Sequence, residues 1–332
     1  MPPATTPPPV LLARHAMHTR FEIALHGSDP TELRAAGEEA LDEIDRLEER
    51  LSLFWPTSEI AHLNARAARE PVRVTPAVLA LLRLAQRLHA ETAGAFDPTI
   101  APLLDCWGLL GGTGRVPTPE EIAAARACVG MGLVELDERA STVRFTRPGV
   151  RLDLGAIGKG YAIDRAAEIL RDAGVTSALL HGGTSTVYAI GAPPDGEAWP
   201  VAIEGSPAAA GQMRDTIAIV RLRDESLSVS AVWGKSFTAA GQTFGHVLNP
   251  LTGRPASEAV LAAVVLPSAT ETDALSTALL ALGPDGHARL AALRPRMKTL
   301  LASAGPDGGP LRLAACGIAL AQMPVEKPPL HP

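Results

Sequence analysis

The segment DLGAIGKGYAID, Asp153 to Asp164, puts a carboxylate, a glycine-rich turn and a lysine at the start of a helical pattern. Arg151 to Leu154 alternates polar and apolar side chains like the end of a strand, and Tyr161 to Leu170 repeats with helical periodicity. Gly155, Gly158 and Gly160 let backbone come close to a neighbour or a ligand. A chain punctuated in this way must turn from extended to helical within a few residues, which leaves the first amide groups of the helix without intrahelical partners. Those amides, with Lys159 as a point charge, suit a phosphorylated ligand. The spacing is neither GxGxxG nor GxxxxGK(S/T), so a packed turn with a solvated surface lysine is the competing reading.

Other elements announce themselves by their ends. Asp29, Pro30 and Glu32 form a helix start, and Leu33, Ala36, Ala40, Ile44, Leu47 and Leu51 then share one apolar face. Thr75-Pro76 opens a helix through about Ala93, and Thr118, Pro119 and Glu121 open another that ends near Gly130. Thr216 to Leu222, Ser226 to Val232, Phe244 to Leu248 and Ala259 to Leu266 read as strands. Glu271 to Leu282 reads as a helix stopped by Gly283, and Gly191 to Gly211 contains a turn or surface insertion. The fold class is α/β or α+β, with no demonstrable repeat.

With 332 residues and 46% hydrophobic content the chain can bury a large core. A net charge of −6 without a basic cluster argues against nucleic acid as the main partner. Cys106, Cys128 and Cys316 lack metal spacing and read as core residues or free thiols. The start, MPPATTPPPVLLARH, reads as a flexible tail with no secretory pattern, and no stretch reads as a membrane span, so a cytoplasmic location is the default expectation.

Candidate chemistry comes from separated segments. GAFDP, Gly94 to Pro98, holds Asp97 in a tight turn beside Phe96, a side chain that either covers a planar ring or belongs to the core. In ETDALST, Asp273 and Thr277 are four apart and share a helical face. Two oxygens are too few for a calcium cage but suit Mg²⁺ held also by phosphate and water, the alternative being a helix-end charge and a core-edge hydroxyl. His246, in FGHVLNPLTG, stands where a near-neutral base can take a proton from a hydroxyl, or is structural. His181, before Gly182-Gly183, can line a cleft without a defined role.

Together SEIAHLN (58–64), GAFDPTIAPLLDCWG (94–108), DLGAIGKGYAID (153–164), HGGT (181–184), HVLNPLTG (246–253) and TDALSTALLALG (272–283) resemble the FAD:protein FMN transferase, or ApbE, family. The resemblance implies a two-part α/β (α+β) architecture related to the tunnelling fold, with a flavin cleft between the parts. It spans about residues 14–320, leaving 1–13 as a flexible proline-rich tail and 321–332 as a mobile tail. The implied activity is Mg²⁺-dependent cleavage of the substrate FAD, with FMN transferred to a threonine hydroxyl of a flavin-carrier protein and AMP released. The implied metal ligands are the Asp273 and Thr277 side chains with the Ala156 and Ser276 backbone oxygens. Asp153 and Lys159 match positions near the nucleotide, Ala95, Phe96 and Asp97 a flavin-contact loop, and Met17, Phe54, Val247 and Leu248 further positions lining it. His246 is the expected proton acceptor, and Asp273 the catalytic metal carboxylate.

Four departures from the family pattern stand out. SAVWGKSF, Ser230 to Phe237, replaces SGxYxRYF, keeping an aromatic at Trp233 and a charge at Lys235; Thr184 replaces an Asn; Phe54 replaces a Tyr; and Asn249 replaces an Asp, a change expected to weaken site ordering or proton transfer. An FAD pyrophosphatase and a non-catalytic flavin-binding protein are the alternative functions.

Overall fold

The protein is described here by a computed structural model covering residues 7–205, 216–233, 236–239, 241–305 and 311–321. Strand β1, Val10–Ala16, and β2, Thr19–Leu25, form a hairpin closed by Met17 and His18 at φ 49° and 58°. Two successive left-handed residues give a turn whose twist matches that of the strands it joins. β1 therefore begins inside the segment expected to be a tail, because Val10, Leu12 and Ala16 bury alternate side chains. The outermost residues of both expected tails, 1–6 and 322–332, lie outside the described residues.

Helix α1, Pro30–Leu51, starts at Asp29, whose side chain accepts from the Thr31 and Glu32 amides. α2, Glu59–Arg66, the short β3, Val72–Arg73, and α3, Pro76–Glu91, follow. α4, Ala101–Cys106, and α5, Pro119–Arg126, precede β4, Val134–Asp137, and β5, Thr142–Phe145. α6, Gly158–Asp172, leads into β6, Ala178–Gly182, β7, Thr186–Ile190, and β8, Trp199–Glu204. β9, Thr216–Leu222, β10, Ser226–Ala231, β11, Ser236–Ala239, β12, Gln242–Gly245, β13, Leu248–Asn249, β14, Arg254–Pro255, and β15, Leu261–Leu266, come next. α7, Ala269–Ala291, β16, Lys298–Ser303, and β17, Arg312–Cys316, complete the order.

Eight strands form the main sheet in the order β1-β2-β6-β7-β10-β15-β16-β17, antiparallel at every pairing, which settles the class as α+β. One face carries the main core, where Ile44, Leu47, Ile163, Ala167, Leu275 and Leu279 pack between α1, α6, α7 and the sheet. A second core beneath the β8–β9 hairpin includes Trp199, Leu222, Leu261 and Leu300. Among the described residues no helix is long and apolar enough to cross a membrane.

Several elements differ from expectation. Arg151 to Leu154 is extended but joins no ladder: Leu152 N–H donates to Asn64 Oδ1 at 2.7 Å and Asp153 N–H to Pro98 O at 2.7 Å. Phe244 to Leu248 is divided between β12 and β13. Gly283, at φ 63°, does break a helix, but Pro284 restarts it in a new direction, so α7 continues to Ala291. The helix at Thr118 ends at Arg126 rather than Gly130. Part of the expected insertion at Gly191 to Gly211 is β8, and its residues 206–211 lie outside the described residues.

Candidate active site at the crossing of α6 and α7

DLGAIGKGYAID is built around α7. Gly160 sits where α6 meets the start of α7 so closely that an added Cβ would lie 2.1 Å from Ala269 O and 2.8 Å from Asp273 Cβ. That approach lets Gly160 N–H donate to Asp273 Oδ2 at 3.0 Å. The motif's last residue, Asp164, accepts from Ala269 N–H at 2.7 Å, Thr270 N–H at 2.9 Å and the Ser268 hydroxyl at 2.8 Å, capping α7 with a carboxylate. One turn of α6 thus fixes both the start of α7 and the Asp273 side chain one turn further in.

Asp273 is 3% exposed. Lys159 Nζ lies 3.3 Å from its Oδ1 and 3.5 Å from its Oδ2, and donates to Gly155 O at 3.3 Å. Asp153 closes the preceding turn by accepting from Gly155 N–H at 2.6 Å. Facing this group, Ser226, Ser228 and Ser230 alternate along β10 toward α7. Ser228 Oγ is 2.8 Å from Thr272 Oγ1, and Ser230 Oγ is 2.9 Å from Ser276 Oγ and 3.2 Å from Thr277 Oγ1. Ser276 and Thr277 both donate back to Asp273 O, at 3.0 and 3.2 Å. The structure therefore brings Lys159, Asp273, Ser276 and Thr277 together and adds Ser230, whose role as a partner of the Thr277 hydroxyl is invisible without the β10–α7 contact.

The donor set fits a hard cation. Asp273 offers a carboxylate, its neighbours are hydroxyls, and an ammonium already bridges Asp273 to the carbonyl at Gly155. Among the described residues no three His, Cys, Asp or Glu side chains are grouped so as to hold a metal ion, so a metal here would lean on hydroxyl and backbone oxygens and on a phosphorylated substrate.

The HGGT turn adjoins this group, since Val229 N–H donates to Ser185 O at 2.7 Å immediately before Ser230. Gly183, at φ 66°, would push a Cβ to 2.2 Å from Thr19 Oγ1. The β1–β2 hairpin is thereby held against the turn, with Met17 half-buried at its tip. His18 meets Phe54 edge-on at 5.6 Å, and Phe54 is 56% exposed, leaving its ring free to stack on a planar ligand. His181, on β6 opposite Glu22, has its pKa lowered by burial against a smaller opposing effect of the Glu22 charge.

The loop Ala95 to Asp97 faces inward. Ala95 and Phe96 are each 2% exposed in the main core, so Phe96 is a core side chain and does not cover a ring. Asp97 accepts from Thr99 N–H at 2.8 Å and Thr99 Oγ1 at 2.5 Å, and its other oxygen lies 3.2 Å from His89 Nδ1. Burial works against protonated His89, but the Asp97 hydrogen bond and charge outweigh it and raise the pKa. What Ala95 to Asp97 can offer a ligand is backbone. Leu248, likewise, is buried with Trp107, while Val247 is half-buried against the main core.

His246 follows β12 and is half-buried. Its hairpin is anchored by Phe237 and Phe244, stacked at 5.2 Å, with Phe244 5.6 Å from Trp107. Trp107 Nε1 donates to Gly253 O at 2.8 Å, joining the GAFDPTIAPLLDCWG and HVLNPLTG segments. Asn249 orders its loop rather than weakening it: Oδ1 accepts from Leu251 and Thr252 N–H at 2.8 and 3.3 Å, and Nδ2 donates to Ala281 O at 2.8 Å. Ala281 is about 12 Å along α7 from Asp273, from the helical rise. Trp233 packs against the second core, and Lys235 lies outside the described residues.

A wide antiparallel sheet backed by crossed helices, with oxygen donors gathered where α6 meets α7, defines an α+β protein with a candidate ligand site at that crossing. Its sequence matches the model of the ApbE family over residues 17–301, and the chain belongs to that family. The FAD:protein FMN transferase of Vibrio cholerae is 31% identical over 251 residues, 73% of each chain, and that of Klebsiella pneumoniae 30% identical over 85% of this chain and 81% of its own. The crystal structure of the ApbE protein of Thermotoga maritima superposes with a TM-score of 0.81 at 28% identity, covering 92% of this chain and 96% of that one.

Proposed function

We propose that this chain is a Mg²⁺-dependent FAD:protein FMN transferase whose acceptor is a threonine hydroxyl on a flavin-carrier protein. The observation that carries the reading is the buried Asp273 carboxylate, oriented by Gly160 N–H, on a helix turn whose Thr277 hydroxyl donates to the Asp273 carbonyl and meets the Ser230 hydroxyl. Asp273 and Thr277, with the carbonyls of Ala156 and Ser276, would hold Mg²⁺, which when bound neutralises diphosphate oxygens and makes AMP a better leaving group. Lys159 would supply positive charge to the diphosphate, whereas the Gly158 and Gly160 amides at the start of α6 are taken by Leu154 O and Asp273 Oδ2. Phe54 presents a ring for the flavin. His246 accepts the threonine proton as the acceptor oxygen bonds to the FMN phosphorus and the bond to the AMP oxygen breaks.

Names borne by the curated relatives and their coverage of this chain support the transfer reading over a binding protein. Asn249 removes one reason for doubting catalysis, since its amide oxygen orders the loop after His246 and its nitrogen ties that loop to α7. Chromatographic assay of AMP released from FAD, with Mg²⁺ and with chelator, tests the reading. Release only with Mg²⁺ and a carrier supports transfer; equal release without carrier identifies a pyrophosphatase; none identifies a flavin-binding protein.

A further inference from the structure

Lys159 occupies a position that the proposed chemistry does not account for. Its ammonium lies between Gly155 O and the two oxygens of Asp273, at 3.3 to 3.5 Å from each. These are the same turn and the same carboxylate whose oxygens, Asp273 and the next carbonyl at Ala156, form the candidate cation site. A divalent ion on Asp273 would face the ammonium at close range, where the Asp273 side chain is only 5% exposed and screening is weak. The two cations compete for one place.

The geometry points to Lys159 as an internal cation that holds the Asp273 site in the absence of ligand and moves to the substrate diphosphate when a divalent ion takes its place. This rests on reading Asp273 as a metal ligand, and it adds that metal and nucleotide bind with positive coupling. Three features fit an exchange. The Lys159 side chain is 22% exposed and flexible, so it has room to leave. Gly160 N–H stays on Asp273 Oδ2, so the carboxylate keeps its orientation when the ammonium departs. Lys159 lies in the first turn of α6, so a diphosphate bound beside that turn would offer the displaced ammonium a new anionic partner. Without nucleotide, displacement costs the ion pair and the metal binds weakly; with it, the lost pair is replaced. Linkage requires that the factor by which FAD tightens metal binding equal the factor by which metal tightens FAD binding.

The test is titration of Mn²⁺, followed by electron paramagnetic resonance, into the full chain with and without FAD. Wild type, Lys159→Met, Lys159→Gln, Lys159→Arg and Asp273→Asn are compared, with near-UV circular dichroism to verify folding. Without FAD, the Met and Gln variants should bind Mn²⁺ about tenfold or more tightly than wild type, because no ammonium competes. Lys159→Arg should stay weak, and the strengthening by FAD should shrink in both neutral variants. Neutral variants that bind Mn²⁺ no more tightly than wild type, while Asp273→Asn abolishes binding, overturn the exchange and leave the metal site standing. Unaltered Mn²⁺ binding in Asp273→Asn overturns both.

Discussion

Asn249 Nδ2 donates to Ala281 O at 2.8 Å, tying the loop that carries His246 to the helix that carries Asp273. Ala281 lies just before the Gly283 break in α7, where carbonyls lose their intrahelical partners, so a side-chain donor is useful there. An aspartate could accept from Leu251 and Thr252 N–H but would set an oxygen against this carbonyl.

Asn249→Asp should therefore destabilise the protein by about 1–3 kcal/mol, the range for leaving a partly buried polar contact unmade. Asn249→Ala, which loses the turn contacts as well, should cost at least as much. Urea unfolding midpoints read the effect, and an Asn249→Asp midpoint equal to wild type would show that the Ala281 contact contributes nothing.

Gly160 allows α6 to touch α7. Gly160→Ala gains helix propensity but places a methyl 2.1 Å from Ala269 O, so the helices must separate. A lowered thermal midpoint with FAD affinity reduced at least tenfold is expected. Normal FAD affinity would mean that the Gly160 to Asp273 hydrogen bond is dispensable.

His89 makes stability depend on pH. Its folded pKa is raised, with burial opposing and Asp97 outweighing it, so its stabilising contribution is complete below the unfolded value of about 6.5 and fades as pH climbs through the folded value. The thermal midpoint gap between wild type and His89→Gln should be widest near about pH 5.5 and narrow toward about pH 9. A gap that is constant, or that widens with pH, would contradict the pairing.

Much of this was legible because the signals are local. Asp29-Pro30, Thr75-Pro76 and Thr118-Pro119 carry their own caps, and α1, α3 and α5 begin there. β9 has the bounds read from the sequence, Thr216–Leu222. Two of the quoted segments meet where Lys159 Nζ lies 3.3 Å from Asp273 Oδ1. Non-local pairing was not legible. β1 hides behind a proline-rich start because only its pairing with β2 and packing on α1 make it a strand. Arg151 to Leu154 looks like a strand, yet its backbone groups go to Asn64 and Pro98, distant in sequence. Phe96 is apolar and aromatic whether it lines a cleft or a core; burial decides for the core. Asp164 as the cap of α7 and Ser230 as the partner of Thr277 need the fold to be seen.

Asp273→Ala should abolish the gain in FAD affinity that Mg²⁺ confers, because the carboxylate held by Gly160 N–H is the one ionised ligand proposed for it. Fluorescence titration of FAD with Mg²⁺ or with chelator measures this. A metal-dependent gain equal to that of wild type would remove Asp273 from the site.

Covalent transfer is tested most directly by intact-mass spectrometry of a threonine-bearing flavin-carrier domain incubated with this protein, FAD and Mg²⁺. The carrier should gain the mass of one FMN residue with AMP released, and replacing its acceptor threonine with alanine should abolish the adduct while leaving FAD binding intact. His246→Ala should keep FAD affinity and slow adduct formation by about 10²–10⁴-fold, the usual contribution of a positioned base. Free FMN and AMP with no adduct on any carrier would contradict transfer, and a normal rate in His246→Ala would contradict its role as the base.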